Sequence, residues 1–314
     1  MFFSKKQTAE DLGVPLKDLE VVLRPTSVRV KRTPMAIAAD HGNYTMRLEV
    51  LPPPSGQMGN DRVQAFVTIT TEIPEPLTQI LDSEQAAVAM NSFAALSAFT
   101  FAERRVTICS RLTVYEGESA WKTLHLPLLM FNILCSTEAL FGGMRRTFNE
   151  QQPAKGSSKW GQADFVQVRD ALSRHCVCFA DSKGFSAEFG LVAGATSAAT
   201  HPGKTAFLQL QTDQPHPELG GGLFCLLQLP FGFRDSAEAT RLANLLNVRE
   251  QECRDLVPHF GAWTTGADHT GLAYVSFLPN PMHDIPGRAL NYAIWSRNRS
   301  EWATSVLSGE GYSL

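Results

Sequence analysis

One segment of the chain has the residue types of a phosphate-binding loop. Ala198–Thr205 reads AATHPGKT, and in such a loop the lysine contacts the terminal phosphates while the threonine hydroxyl binds magnesium. Phosphate binding in such a loop needs the free backbone N–H groups at the N-terminus of a helix. Here Pro202 removes one donor, and the residues after Thr205 alternate like a strand. We therefore expect no nucleotide site and no phosphate chemistry at Lys204.

Cysteine, histidine and glycine clusters are the other candidates for chemistry. Cys176 and Cys178 share one face of a strand, but a metal would need two more ligands and only His175 is close. The eight histidines are dispersed, without an H-E-x-x-H or G-x-S-x-G motif. Gly220–Gly222 favours a turn between strands over a ligand loop. We predict a protein that is not an enzyme and has no catalytic residue, metal or cofactor.

Composition excludes several partner classes. The chain has 314 residues, 28 basic and 31 acidic side chains and 44% hydrophobic residues, which is typical of a globular protein. A net charge of -3 gives no long-range attraction to nucleic acid or anionic lipid. Arg24, Arg29, Lys31 and Arg32 cluster on or beside an early strand, which we interpret as a solvated sheet face. No apolar run suits a signal or a membrane span, so we expect a cytoplasmic protein.

The positions of the candidate residues depend on an internal repeat. Ala65–Pro76, AFVTITTEIPEP, matches Ala206–Pro217, AFLQLQTDQPHP, 141 residues later. Ala39–Tyr44 matches Ala180–Phe185 at the same spacing. Ordered matches of this kind indicate one structural unit used twice.

Two later blocks extend the match with a growing offset. The stretch that ends at Asn91 matches the one that ends at Asn244, 153 residues later. Ser97–Thr100 matches Gly261–Thr264 at 164 residues. We assign the first increase in spacing to an additional strand in the second copy, Leu223–Leu229.

The repeat predicts a first module at residues 1–150 and a second at 160–314, joined by a polar linker. The patterns predict the order α-βββ-α-ββ-α for each module, with the inserted strand in the second. This order is typical of the α+β class with antiparallel sheets. Duplication of a self-complementary surface predicts that the modules pack as a pseudo-dimer. The last helix is expected to bury Leu290, Ile294, Trp302 and Val306.

The segments Asp82–Thr147 and Asp235–Val306 each read helix, hairpin, helix. In this order of elements, with their apolar closing helices, they resemble the YbjN-like and type III secretion chaperone-like group. The resemblance implies tandem modules that bind another polypeptide. It also implies a tendency to dimerise, and it assigns no functional residue.

These observations predict a non-enzymatic protein-binding module, a chaperone or adaptor for another polypeptide. The inserted strand has no polar face, so it must be covered. It either fills a cleft against the first module or offers an edge to a partner strand or a second copy of the chain. The expected partner-binding residues are Leu223, Phe224, Leu226, Leu227 and Leu229. The alternative function is an enzyme or small-ligand binder with a site in the cleft between the modules. A monomeric pseudo-dimer and a homodimer both remain open.

Overall fold

The computed structural model describes residues 7–53, 62–73, 83–92, 95–117, 125–143, 156–191, 205–216, 219–253, 258–266 and 271–312. The first module contains α1 (Leu16–Leu23), β1 (Arg29–Arg32), β2 (Ala36–Asp40), β3 (Thr45–Leu51), β4 (Val63–Glu72), α2 (Glu84–Asn91), β5 (Ala98–Ala102), β6 (Arg105–Tyr115) and α3 (Leu126–Gly143). The second contains α4 (Gln162–Leu172), β7 (Val177–Ala180), β8 (Gly184–Gly190), β9 (Thr205–Gln211), β10 (Gly222–Leu229), α5 (Ser236–Glu252), β11 (Ala262–Thr265), β12 (Leu272–Pro279) and α6 (Arg288–Gly309). Short 3-10 helices follow α1 and β12.

The two modules share one sheet topology. Each forms a six-stranded antiparallel sheet, in the orders β1-β2-β3-β4-β6-β5 and β7-β8-β9-β10-β12-β11. The α+β class and the two-module arrangement are confirmed. Each module has four strands before its central helix, however, where the sequence indicated three in the first. The missing strand is β1, whose RVKR sequence has no apolar alternation to reveal it.

The strand at Leu223–Leu229 is therefore not an insertion. β10 occupies the place in its sheet that β4 occupies in the first sheet. The sequence match at a spacing of 141 residues pairs β4 with β9, although β10 is the strand that occupies the place of β4. It likewise pairs the β2–β3 turn with the β7–β8 turn, so the sequence match is shifted by one strand relative to the structural correspondence. Consecutive strands of a meander have the same alternation of apolar and polar residues, because each strand buries one face. An alignment that is shifted by one strand therefore still matches apolar residues to apolar residues.

Helices cover one face of each sheet. In the first module α1 packs against β1 and β2, and α3 packs against β4 and β6. In the second, α4 packs against β7, β8 and α6, and α6 packs against β9 and β10. Ser83 and Asp235 begin the two central helices by accepting hydrogen bonds from backbone N–H groups in the first turn. These central helices face the other module.

The two modules pack through their central helices and their hairpins. α2 contacts α5 and β11, and α5 contacts β5. Asn244 of α5 bonds both backbone groups of Phe101 in β5, each at 2.8 Å. In return, Thr264 of β11 donates to the backbone oxygen of Val88 in α2 at 3.1 Å. The reciprocal pattern is that of a dimer built within one chain.

The asparagine of α5 that is structurally equivalent to Asn91 is not the one that the sequence match paired with it. Asn91 exchanges two hydrogen bonds with the backbone of Phe99, at 2.7 and 2.9 Å. Asn247, not Asn244, makes the same pair of bonds with Trp263, at 2.7 and 2.8 Å. The SAFT and GAWT blocks are correctly matched, since each leads into the first strand of its hairpin.

The buried face of α6 was predicted only in part. The expected stripe is only partly buried, and its member Ile294 is exposed. The residues that are buried along the helix are Arg288, Ala289, Tyr292, Ala293, Ser296, Arg299, Ser300, Ala303, Thr304 and Leu307. Much of this face is polar, so apolar periodicity identifies instead the residues that flank it, and Leu290, Trp302 and Val306 are only half-buried against the core.

Candidate functional site

Each of the two sheets has an edge strand at the equivalent position of the shared topology. β1 and β7 are each the outermost strand at one end, and among the described residues no strand pairs with their outer edges. An unpaired edge presents backbone N–H and C=O groups and is a template for another strand. These two edges are therefore where backbone recognition of a partner would occur.

β1 is protected by charge. Arg29, Lys31 and Arg32 are exposed, in agreement with the solvated face expected from the sequence. Arg32 is held by Glu20 of α1, with 2.8 Å between its Nε and a carboxylate oxygen. Cations on an edge oppose pairing because an incoming strand would have to desolvate them.

β7 carries apolar side chains instead. Its sequence is VCFA, and Val177 and Phe179 are 73% and 65% exposed. The alternate residues face α4, where the Cys178 sulfur lies 3.7 Å from the Arg169 backbone oxygen. Val177 and Phe179 therefore lie on the opposite, open face of the sheet. The strand itself contains no charged residue that would oppose pairing.

The turn after β7 fixes the geometry of this edge. The Asp181 carboxylate accepts hydrogen bonds from the backbone N–H groups of Lys183 and Gly184, at 2.7 and 2.9 Å. A side chain at Gly184 would place its Cβ 2.5 Å from the Leu210 backbone oxygen, so β8 approaches β9 closely only with glycine here. The β7–β8 hairpin is thus held at its turn and along its inner strand.

A shallow cavity lies at the same end of β7. It has a volume of about 170 Å³ and combines Phe179 with polar side chains of the turn and of β8 and β9. These polar residues are Asp181, Lys183, Ser186, Gln209, Gln211 and Asp213. Two carboxylates against one ammonium favour a cationic group from an incoming chain.

The five residues predicted to bind a partner do not form one surface. Leu223, Leu227 and Leu229 are buried on the inner face of the second sheet. Phe224 and Leu226 are half-buried on its outer face. β10 is hydrogen-bonded to β9 on one side and to β12 on the other, so the expectation of a free edge at this strand is wrong.

The glycine run is explained by close chain packing. Residues 198–204 of the phosphate-loop-like segment lie outside the described residues, and Thr205 begins β9. A Cβ at Gly221 would lie 2.3 Å from the Ser157 backbone oxygen, and one at Gly222 would lie 2.4 Å from that of Leu278. His216 and Gly220 form an isolated bridge, as expected of a turn.

A second polar cluster lies at the junction of the modules. Glu250, at the end of α5, receives hydrogen bonds from Arg299 Nε and Trp263 Nε1, both at 2.8 Å. Arg111 of the first module donates to the Glu250 backbone oxygen at 2.9 Å. The cluster therefore links β6 of the first module to α5, α6 and β11 of the second.

Burial controls the charge state of this cluster. Glu250 and Arg299 are 0% and 1% exposed. Burial raises the pKa of Glu250, but Arg299, His259 and Arg111 together outweigh it and leave that pKa below its usual value. Burial, with a further contribution from Arg111, lowers the pKa of His259 to about 4. Neither ring nitrogen of His259 has a hydrogen-bond partner among the described residues.

A second buried histidine also joins the modules. His125, just before α3, lies 2.8 Å from a terminal nitrogen of Arg288 in α6, measured from its Nε2. Burial and then Arg288 lower the pKa of His125 to about 3. A neutral ring that accepts from arginine fits this geometry. Both histidines are buried, as are the ionic groups around them, so we interpret the junction as a structural contact rather than an open reaction site.

The sequence contains a weak signal for the ionic cluster. Tyr292, Ser296, Arg299 and Ala303 are spaced by three or four residues and share a helix face. An arginine on that face requires a buried partner. Nothing in the sequence identifies Glu250, which lies 49 residues away, as that partner.

The comparisons with known proteins leave the family open. No protein-family model and no curated protein matches the chain. Among solved structures, that of DynU16, described as a protein in the dynemicin biosynthetic locus, aligns over 89% of this chain and 86% of its own. Its identity is 9% and its TM-score 0.14, which are too low to carry an argument. The resemblance to YbjN-like and type III secretion chaperone-like modules stays a prediction.

The described residues contain no group of three His, Cys, Asp or Glu side chains placed to bind a metal ion. None of the described helices is both long and apolar enough to cross a membrane.

Proposed function

We propose that this protein is a non-enzymatic polypeptide-binding protein that takes up an extended segment at the outer edge of β7. In such strand addition, backbone hydrogen bonds supply affinity and alternate side chains supply specificity. Val177 and Phe179 would contact the alternate side chains of the incoming segment. The cavity at Asp181 and Asp213 would take a cationic residue from that segment.

The observation that carries this proposal is the difference between the two equivalent edges. The same topology places β1 and β7 at the ends of their sheets. β1 has three exposed cations, as soluble proteins commonly place on free edges. β7 has two exposed apolar residues instead of cations. Exposed apolar side chains on an unprotected edge strand are unfavourable in water, and a binding function accounts for their presence.

The alternative function is an enzyme or small-ligand binder between the modules. The groups that meet there, Glu250, Arg299, Arg111 and His259, are buried and pack against one another. A substrate would need an open path to such groups. The cavity beside β7 is lined by residues of the second module alone. A second cavity, between the segments around residues 8–17 and 32–34, is lined by residues of the first module alone. These observations favour binding at the β7 edge over a site between the modules.

The test uses a labelled ten-residue peptide of alternating valine and threonine, with lysine at its amino end and glutamate at its carboxyl end. Fluorescence anisotropy of the full chain should show saturable binding. Phe179→Lys should weaken it at least tenfold, or about 1.4 kcal/mol, because an edge lysine opposes pairing. Thr45→Lys adds the same charge at an exposed position of β3 and is the control. Equal affinities for the wild type and Phe179→Lys would contradict the proposal.

A further inference from the structure

The outer edge of β7 is complementary to itself. Antiparallel strands related by a two-fold axis normal to the sheet keep each face on the same side, so only residues of one face lie opposite each other. A register with Cys178 opposite its own copy places Val177 opposite Phe179, and Phe179 opposite Val177. The same register places Ala180 opposite Cys176. Each exposed apolar residue thereby meets another apolar residue.

We propose that a second copy of this chain occupies the edge, through antiparallel pairing of β7 with β7 about an axis at Cys178. The inference rests on the proposed function and names a partner for that site. The product is one continuous antiparallel sheet across two molecules, built from the six strands of each second module. It keeps α4 of both copies on the same side of that sheet.

The polar residues at the ends of β7 support this occupant. Arg174 and His175 precede the strand and are exposed, and Asp181 follows it. In the antiparallel register His175 of one copy lies opposite Asp181 of the other, at both ends of the pair. Asp213 lines the cavity beside Asp181 and adds a second carboxylate there. A hydrogen bond from the imidazole N–H to the Asp181 carboxylate would stabilise the strand pair.

The equivalent edge of the first module does not fit a second copy. Any antiparallel pairing of β1 with itself brings Arg29, Lys31 and Arg32 together with the same cations of the other copy. Like charges directly opposite each other destabilise a strand pair. The self-pairing is therefore specific to β7.

The size of the contact sets the expected strength. β7 has four residues, of which two present large apolar side chains to solvent. A contact of this length covers less than the roughly 1,200 Å² typical of stable complexes. We therefore expect a dimer that dissociates on dilution, which leaves the edge available to another polypeptide.

The experiment is a sedimentation-velocity series on the full chain over a wide range of concentrations. The wild type should shift from monomer to dimer, and Phe179→Lys should remain monomeric where the wild type is dimeric. An exposed substitution of this kind changes folding stability little, so the variant should fold. Thr45→Lys should dimerise like the wild type.

A thiol cross-link tests the register. A short bis-maleimide should join two copies through Cys178, since residues directly opposite have Cβ atoms about 5 Å apart. Cys178→Ser should lose the linked dimer, and Cys176→Ser should keep it. A dimer that survives Phe179→Lys would overturn the inference by placing the contact elsewhere. A wild type that stays monomeric yet binds the valine–threonine peptide would overturn it while leaving the polypeptide-binding function intact.

Discussion

At the scale of single residues, the junction depends on a glutamate that is hydrogen-bonded to both modules. Glu250 bonds Arg299 and Trp263 through its side chain, and Arg111 reaches it from the other module. A buried ion pair is not by itself strong evidence of stability, because desolvation offsets the attraction. Breaking it is costly, because the charge that remains is still buried.

Removing Arg299 should therefore destabilise the fold severely. For Arg299→Met we expect the free energy of unfolding to fall by about 3–5 kcal/mol, as measured by urea denaturation. Arg297→Met is the matched control on the same helix, because Arg297 pairs with Glu301 on the exposed side. An exposed pair of this kind contributes about 1 kcal/mol or less. Similar losses for both variants would show that the buried pair carries no special weight.

His259 should make stability depend on pH. Its pKa falls from 6.5 to about 4 on folding, chiefly because of burial. Above pH 6.5 the neutral ring is common to both states and the full stability is present. As the pH falls from there towards 4, the unfolded chain binds a proton that the folded chain does not, so stability is lost.

The predicted loss from this group is about 2 kcal/mol at pH 5 relative to pH 8. His259→Phe keeps a ring of similar size and should flatten the profile by that amount. Its free energy of unfolding at pH 8 should stay near that of the wild type, since neither ring nitrogen is hydrogen-bonded within the described residues. Parallel wild-type and variant profiles between pH 8 and pH 5 would rule out His259 as the source.

At the scale of elements, one asparagine in each module ties the central helix to its hairpin. Asn91 satisfies both backbone groups of Phe99, and its amide also lies 3.3 Å from the Trp263 backbone oxygen in the other module. Asn247 forms the equivalent tie in the second module. These contacts set the angle at which the hairpins meet the helices.

Asn91→Ala should cost about 2–4 kcal/mol of unfolding free energy, because buried backbone groups lose their partners. Asn298→Ala, on the exposed side of α6, should cost no more than about 0.5 kcal/mol. Thermal or urea denaturation of both variants measures the difference. A loss as small as that of Asn298→Ala would mean that solvent replaces these bonds.

Sequence patterns predicted the helices and strands better than they predicted which element of one module is equivalent to which element of the other. The hairpins β5–β6 and β11–β12 could be aligned because SAFT and GAWT mark the same bend in both modules. The four-strand meanders could not be aligned, since Ala65–Pro76 alternates like either β9 or β10. That shift by one strand hid β1 and made β10 appear to be an insertion. The partner-binding prediction at Leu223–Leu229 followed from it.

Edge positions were the part of the site that sequence could not supply. Val177 and Phe179 stand in a strand whose alternation was recognised, with the cysteines on its other face. Which strand is outermost depends on the pairing order of the whole sheet, which local patterns do not encode. Glu250 and Arg299 were missed for a related reason, because their contact joins two helices across a long loop and a hairpin.

At the scale of the whole molecule, the duplicated modules have been used differently. They share a topology and pack reciprocally through α2, α5 and the two hairpins. Their free edges have diverged, since β1 is cationic and β7 apolar. The ionic cluster joins them at a buried junction, which leaves the β7 edge as the surface proposed to recognise polypeptide.

The most direct test of that claim is hydrogen exchange at the backbone amides of β7 in the dilute full chain, with and without the valine–threonine peptide. The account predicts that outward-facing amides of residues 177–180 exchange fast alone and slow at least tenfold when the peptide is bound. The amides of residues 224–228 in β10 are the internal reference, because this part of the strand is paired on both sides and should be protected in both samples. Unchanged exchange in β7 under saturating peptide would contradict strand addition at this edge.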